Sequence, residues 1–236
     1  MVFVSDLDNV LIHSYKTAQP GDICIEEKDG VRLSFMAPDA HALLKAVASR
    51  CLVVPATARS KDQYLRIDFG VQFKHAIVAN GALLLDGGEI DEQWAAETRQ
   101  MCGAPLPDIK PNEFLSDIRV VDGFFIFAKS NAPAKAASYL RSAVDAARFE
   151  VRSVKNKVYV LPVGVNKGSA VRRLAKRLKI GRIICAGDSV LDIPMLELAD
   201  VAIVPEALGF DRGRPHVVSS AAFASEALNI VKRYVA

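Results

Sequence analysis

Five short, nearly unbroken apolar runs constrain the fold of this chain more than any other feature. They lie at residues 1–5, 51–55, 75–79, 182–186 and 201–204. A strand apolar at successive positions, rather than at every second one, needs cover on both faces. Helical patterns lie between the runs at 39–49, 167–178, 194–198 and 221–234. The first places Ala42, Leu43, Ala46 and Val47 on one stripe, and the second does so with Val171, Leu174, Ala175 and Leu178. Strands alternating with helices predict a doubly wound α/β core around a mainly parallel sheet.

Two segments break this rhythm. Residues 23–27 and 31–35 flank Lys28-Asp29-Gly30, an Asp-Gly hairpin signal, and this hairpin is placed to flap over the start of the chain. Residues 85–163 read as an α+β unit. A helix at 93–101 is followed by an aromatic strand region at 118–129, turned at Asp122-Gly123. A helix at 133–148 then leads into a hairpin at 149–153 and 157–161 around Lys155-Asn156. Asn80-Gly81 and Pro162-Val163-Gly164 mark its two joints. The expected division is a core of residues 1–84 and 164–236 with a cap at 85–163. Trp94 is expected in the core of that cap, with Phe124, Phe125 and Phe127 packing its sheet. Arg152, Lys155 and Lys157 could hold a second anionic group, but read first as a solvated basic hairpin.

Composition removes several classes of function. Thirty basic residues against 27 acidic ones leave a net charge of +3, and no long basic run exists. That is too weak a field to predict nucleic-acid binding. No apolar stretch approaches the roughly 18–20 residues of a membrane span. No basic segment precedes the first apolar run, so no signal peptide is expected. Cys24, Cys51, Cys102 and Cys185 are scattered without metal-finger spacing. Reduced thiols in a cytoplasmic protein are the expectation.

Four elements carry chemistry, each just past a predicted strand or opening a predicted helix. Asp6-Leu7-Asp8 follows the first strand, so both carboxylates would stand at its tip. Taken alone, a solvated loop explains such a pair equally well. Thr57 follows the second strand, with Ala58 and Arg59 behind it. It could bind a phosphate oxygen, or it could cap a following helix. Lys167 opens a helix, where its charge opposes the dipole unless an anion shares the site. Gly187-Asp188-Ser189-Val190-Leu191-Asp192 supplies two carboxylates four apart, a set of oxygen ligands suited to Mg²⁺. In an open α/β sheet all four would meet at the carboxyl ends of the strands.

Together these residues resemble the haloacid dehalogenase superfamily of phosphatases. Asp6-Leu7-Asp8-Asn9-Val10 matches its first motif, DxDx[TV]; Thr57 matches the second, Lys167 the third and Gly187-Asp188-Ser189-x-x-Asp192 the fourth. The insertion lies where that family places a type-2 cap. The Ala56-Thr57-Ala58-Arg59 turn and Asn80-Gly81-Ala82 are similar to the Cof-like and sucrose-phosphatase-like branches. Leu191 departs from the Cof pattern, which usually has Asn there, and is nearer the sucrose- or trehalose-phosphatase type.

The resemblance implies a Mg²⁺-dependent phosphatase acting on a small phosphorylated metabolite, a sugar or polyol phosphate first. Asp6 would be the nucleophile, forming an aspartyl-phosphate, and Asp8 the general acid and base. Thr57, Ala58 and Lys167 would bind the phosphoryl group. Asp6, the Asp8 backbone carbonyl and Asp188 would hold the metal, with Asp192 as a ligand or behind the ligands. Asn9, Arg59 and Ser189 would support the site. A phosphotransferase or phosphohexomutase on the same scaffold is the alternative, and a non-catalytic binding module a third reading. Neither a nucleic acid nor a membrane is an expected partner.

Overall fold

The computed structural model describes the chain except residues 104, 213, 214, 220, 221 and 236. In chain order the strands and helices are β1 (Val2–Ser5), β2 (His13–Ser14), β3 (Ile23–Lys28), β4 (Val31–Met36), α1 (Pro38–Ala48), β5 (Leu52–Pro55), α2 (Lys61–Leu65), β6 (His75–Val78), β7 (Leu83–Asp86), β8 (Glu89–Ile90), α3 (Glu92–Cys102), β9 (Leu115–Val121), β10 (Phe125–Ser130), α4 (Pro133–Ala143), β11 (Phe149–Val154), β12 (Lys157–Pro162), α5 (Lys167–Arg177), β13 (Ile183–Ala186), α6 (Ile193–Leu196), β14 (Val201–Pro205), β15 (His216–Val218) and α7 (Phe223–Tyr234).

The central sheet runs β15-β14-β13-β1-β5 and is wholly parallel. Its side chains sort by alternation. Phe3, Val53, Ile184 and Ile203 pack with Leu44 and Val47 of α1 and with Leu228 and Val231 of α7. Val2, Val4, Val54, Cys185 and Val204 face the other way, onto Ala170, Val171 and Leu174 of α5. Both faces are therefore covered, which is what the unbroken apolar runs require. Ser5 pairs with Pro55 on one side and Ala186 on the other. The three strands thus end level, and Asp6, Ala56 and Gly187 leave the sheet at one edge.

The inserted sheet runs β11-β12-β10-β9, antiparallel throughout. One face packs Ile126, Ala128, Val158 and Val160 against Ala136, Ala137 and Leu140 of α4. Phe125, Phe127, Tyr159 and Leu161, on the opposite face, join the cluster that contains Leu7, Val10 and Leu11 beside the first motif. Phe125 and Phe127 do pack on Tyr159 of their own sheet, and with Phe124 they also belong to the cluster shared with the central domain.

Trp94 is a correction. It is 2 % exposed and buried with Val2, Val54, Ala170 and Leu174 of the central domain, while Arg173 of α5 stacks on its ring at 3.7 Å. Arg177 of α5 pairs with Asp91, which caps α3. Helix α3 thus packs on the central domain, on the far side of the predicted joint. Helix α4 ends at Ala143, because Val144 turns extended (φ −115°, ψ 154°). The last helix begins at Phe223; its predicted start, Ala221, lies outside the described residues. Of the four cysteines only Cys185 is fully buried. No described helix is long and apolar enough to cross a membrane.

Candidate active site

Asp6 leaves β1 with its carboxylate almost buried. Gly187 and Asp188 leave β13 beside it, and α5 opens underneath with Lys167. Asn166 caps α5, accepting from the Ser169 N–H at 2.9 Å while Ser169 returns the bond. This holds Lys167 in the first turn, 1 % exposed. Its ammonium donates to Asp6 at 2.7 Å and to Asp192 at 2.6 Å. Two glycines make the approach possible. A Cβ on Gly187 would stand 2.4 Å from the Asp192 Cβ, and one on Gly168 would stand 2.2 Å from the Pro194 carbonyl oxygen.

Asp6, Asp188 and Asp192 each offer an oxygen within 4.8 Å of the others. Asp192 is wholly buried and fully engaged. One oxygen takes Lys167, while the other accepts from the Asp188 N–H, the Ser189 N–H and the Ser189 hydroxyl at 3.2, 2.9 and 2.8 Å. It is placed to shape the loop and orient Lys167 rather than to reach outward. Asp188 is freer, with Asn9 Nδ2 donating to it at 3.2 Å. Asn9 itself adopts a left-handed backbone (φ 61°).

The electrostatics are those of crowded carboxylates. Burial first, then Asp192, push the Asp6 carboxyl well above its ordinary range, with Lys167 pulling the other way. Burial and Asp192 likewise push Asp188 up to about 6. Burial works against the Lys167 charge, but Asp192 and Asp6 outweigh it and hold the ammonium firmly protonated. Three carboxylates against one ammonium leave an uncompensated negative site built of hard oxygen donors. That charge and chemistry fit Mg²⁺.

The Asp8 carboxyl stands apart from this cluster. Arg59 grips it with two parallel bonds, Nε and Nη2 donating at 2.9 and 2.8 Å. Burial pushes this carboxyl up, but the Arg59 bonds and charge win and hold it below its ordinary value. Arg59 is anchored in turn by Glu26, 3 % exposed, through Nη1 at 2.7 Å. Arg66 and Ser34 also donate to Glu26. The β3–β4 hairpin is therefore tied down by a buried carboxylate rather than free to flap.

Thr57 is buried, with its N–H donating to Ile77 at 2.9 Å. It caps no helix; Ser60 caps α2 with a reciprocal bond to Gln63. Its hydroxyl accepts from the Arg59 N–H at 3.1 Å and keeps its own proton to donate. Ala58 lies between them on the same turn. Asn80 donates its N–H to the Thr57 carbonyl at 2.9 Å, and its buried amide has no side-chain partner among the described residues. Such a group suits a bound water or oxyanion.

All the residues expected from sequence thus gather at one sheet edge, with Asp8 turned to Arg59. Glu26 went unforeseen, and Asn80 was read only as part of a joint and of a branch motif. Strand alternation puts Glu26 opposite to the buried Ile25, but register shifts on both sides of Glu26 turn it inward.

Residues 97–205 match the family model for haloacid dehalogenase-like hydrolases. A phosphoglycolate phosphatase of Methanothrix thermoacetophila is 24 % identical over 238 residues, covering 94 % of this chain and 88 % of that protein. A phosphoglycolate phosphatase of Pyrobaculum neutrophilum is 28 % identical over 162 residues, 67 % of this chain and 68 % of that one. The sucrose-phosphatase of Synechocystis sp. PCC6803, solved with sucrose and phosphate, superposes with a TM-score of 0.66 at 17 % identity, over 98 % of both chains.

Proposed function

We propose that this chain, a haloacid dehalogenase-like hydrolase, is a Mg²⁺-dependent phosphatase that cleaves a small phosphomonoester through an aspartyl-phosphate on Asp6. The observation that carries the reading is the buried Lys167 ammonium shared by Asp6 and Asp192, with Asp188 beside them. It joins a nucleophile, a phosphate-binding cation and a metal-binding carboxylate in one cluster.

In this reading an Asp6 oxygen attacks phosphorus while the leaving alkoxide departs from the opposite side. Lys167, the Thr57 hydroxyl and the Ala58 amide hold the phosphoryl oxygens. Asp8 gives a proton to the leaving oxygen, then takes one from the water that hydrolyses the acyl phosphate. Arg59 holds Asp8 as a carboxylate, the form that the second half uses; the first half requires the carboxyl to turn away from Arg59. Asp6, Asp188 and the Asp8 carbonyl would hold Mg²⁺, and Asp192 would set their geometry from behind. Bound there, the ion would keep Asp6 ionised and neutralise charge on the transferring group.

We place the cap later in the chain than sequence suggests, after α3, because Trp94 is buried in the central domain. The substrate is a small phosphorylated metabolite, with sugar and polyol phosphates and phosphoglycolate as first candidates. Phosphate release across a metabolite panel, with and without EDTA, tests the reading. Release should require metal and should disappear in Asp6→Asn. Metal-independent release, or turnover by Asp6→Asn, would overturn it.

A further inference from the structure

Resting on the phosphatase reading, we infer that the inserted sheet carries a second anion site: Lys157, with Arg119 beyond it, binds a carboxylate or second phosphate on the leaving alcohol. Alternation places Lys157, Tyr159 and Leu161 on one face of β12, opposite the face that α4 covers. Tyr159 pairs across the sheet with Phe127, and Phe127 with Arg119. A row Tyr159–Phe127–Arg119 therefore runs over that face. The side chains touch along it: Phe127 meets Tyr159 edge-on at 5.7 Å, and the Arg119 guanidinium lies 4.4 Å over the Phe127 ring. Both rings are buried in the cluster that contains Leu7, which lies between Asp6 and Asp8, and Val10, two residues beyond Asp8. The row therefore stands against the mouth of the site.

The charges agree with this placement. Lys157 adds to the pull that holds the Asp8 carboxyl down, behind burial's opposing push and the dominant Arg59. Burial raises the Tyr159 phenol far above its ordinary value, and the Asp8 and Asp6 charges add to that. Pairing separates the basic residues of this face into two groups. Lys129 is neutralised by Asp117 at 2.8 Å and Arg152 by Glu150 at 2.7 Å. Among the described residues, neither Lys157 nor Arg119 has a carboxylate partner within 4.0 Å.

The Arg119 charge reaches Asp117 and the Lys157 charge reaches Asp8, yet neither cation is held in an ion pair, and two such cations on the face toward the site favour a negatively charged alcohol over a neutral sugar. Lys157, whose charge reaches Asp8, serves an anion near the ester oxygen. Arg119 stands two strands from Tyr159, about 10 Å across the sheet, and serves one farther out.

Matched substrates test this. 2-Phosphoglycolate and ethyl phosphate differ in a carboxylate, and fructose 1,6-bisphosphate and fructose 6-phosphate in a second phosphate. The unaltered protein should prefer the charged member of at least one pair in kcat/KM by about tenfold or more, the value of one charge-assisted hydrogen bond. The pair that shows the preference identifies the anion. Lys157→Ala should erase the preference for a short substrate, Lys157→Arg should retain it, and Arg119→Ala should weaken it for the longer pair. Rising salt should erode it. No preference in the unaltered protein, or a preference that survives in Lys157→Ala/Arg119→Ala, overturns the second anion site and leaves the phosphatase reading standing. No metal-dependent phosphate release from any of the four or from the wider metabolite panel overturns the phosphatase reading, and the anion site with it.

Discussion

Asp6 stands under two opposed demands. In the proposed mechanism it must be ionised to attack, yet burial and Asp192 favour its proton. The proposed divalent cation would resolve the conflict, and the cost of the crowded cluster without one would fall on the apo protein. Asp188→Asn removes one of the like charges. Its apo form should melt no lower than the parent, yet it should lose the stabilisation that Mg²⁺ gives. For the parent that gain is about 2.7 kcal/mol at a hundred times Kd. Thermal melts with and without Mg²⁺ read both effects, and an equal Mg²⁺ response in the two proteins would exclude Asp188 as a ligand. At this scale sequence was a good guide, because Asp6, Thr57, Lys167 and Asp188 each follow a strand or open a helix, and a parallel sheet brings such positions to one edge. It failed at Glu26, whose inward turn comes from a break in strand register that no residue type announces.

At the scale of elements, the β3–β4 hairpin and the Asp8–Arg59 pair form one unit. Burial pushes the Glu26 carboxyl up, but bonds from Arg59, Ser34 and Arg66 outweigh it and hold it below its ordinary value. The folded chain therefore binds this proton more weakly than the unfolded chain. The stabilisation is complete above the unfolded value of 4.5 and fades as pH falls below it. Glu26→Gln should cost about 3 kcal/mol at neutral pH, since it leaves two guanidinium groups without their shared partner. The difference from the parent should shrink at acid pH. Denaturant melts at pH 7 and pH 4 measure this, and a pH-independent difference would show that packing, not charge, sets the cost. The hairpin itself was legible from Lys28-Asp29-Gly30, where Asp29 and Gly30 take the left-handed backbone that such a turn needs. Its anchoring was not, because Arg59 and Arg66 arrive from 33 and 40 residues beyond Glu26.

Over the whole molecule, four central strands were legible because both-face burial writes itself as unbroken apolar runs, but the run at 75–79 forms β6, antiparallel to β7 in a separate sheet, and the fifth central strand is the mostly exposed edge strand β15. The packing of α3 was not: its composition is polar, and its place shows only in the folded contacts of Trp94, Arg173 and Arg177. Trp94→Ala should therefore destabilise the central domain, by about 3–5 kcal/mol for a buried aromatic. Hydrogen exchange should show lost protection in α5 and β5 before the β9–β12 sheet. Loss confined to that sheet would return α3 to the cap. The Lys167–Asp6 bond has a further consequence. It spans 161 residues, and Asp188 and Asp192 come later still. A ribosome must therefore pass residue 192 before the proposed phosphate site is complete, so a product terminated earlier lacks that site however well its first strands have formed.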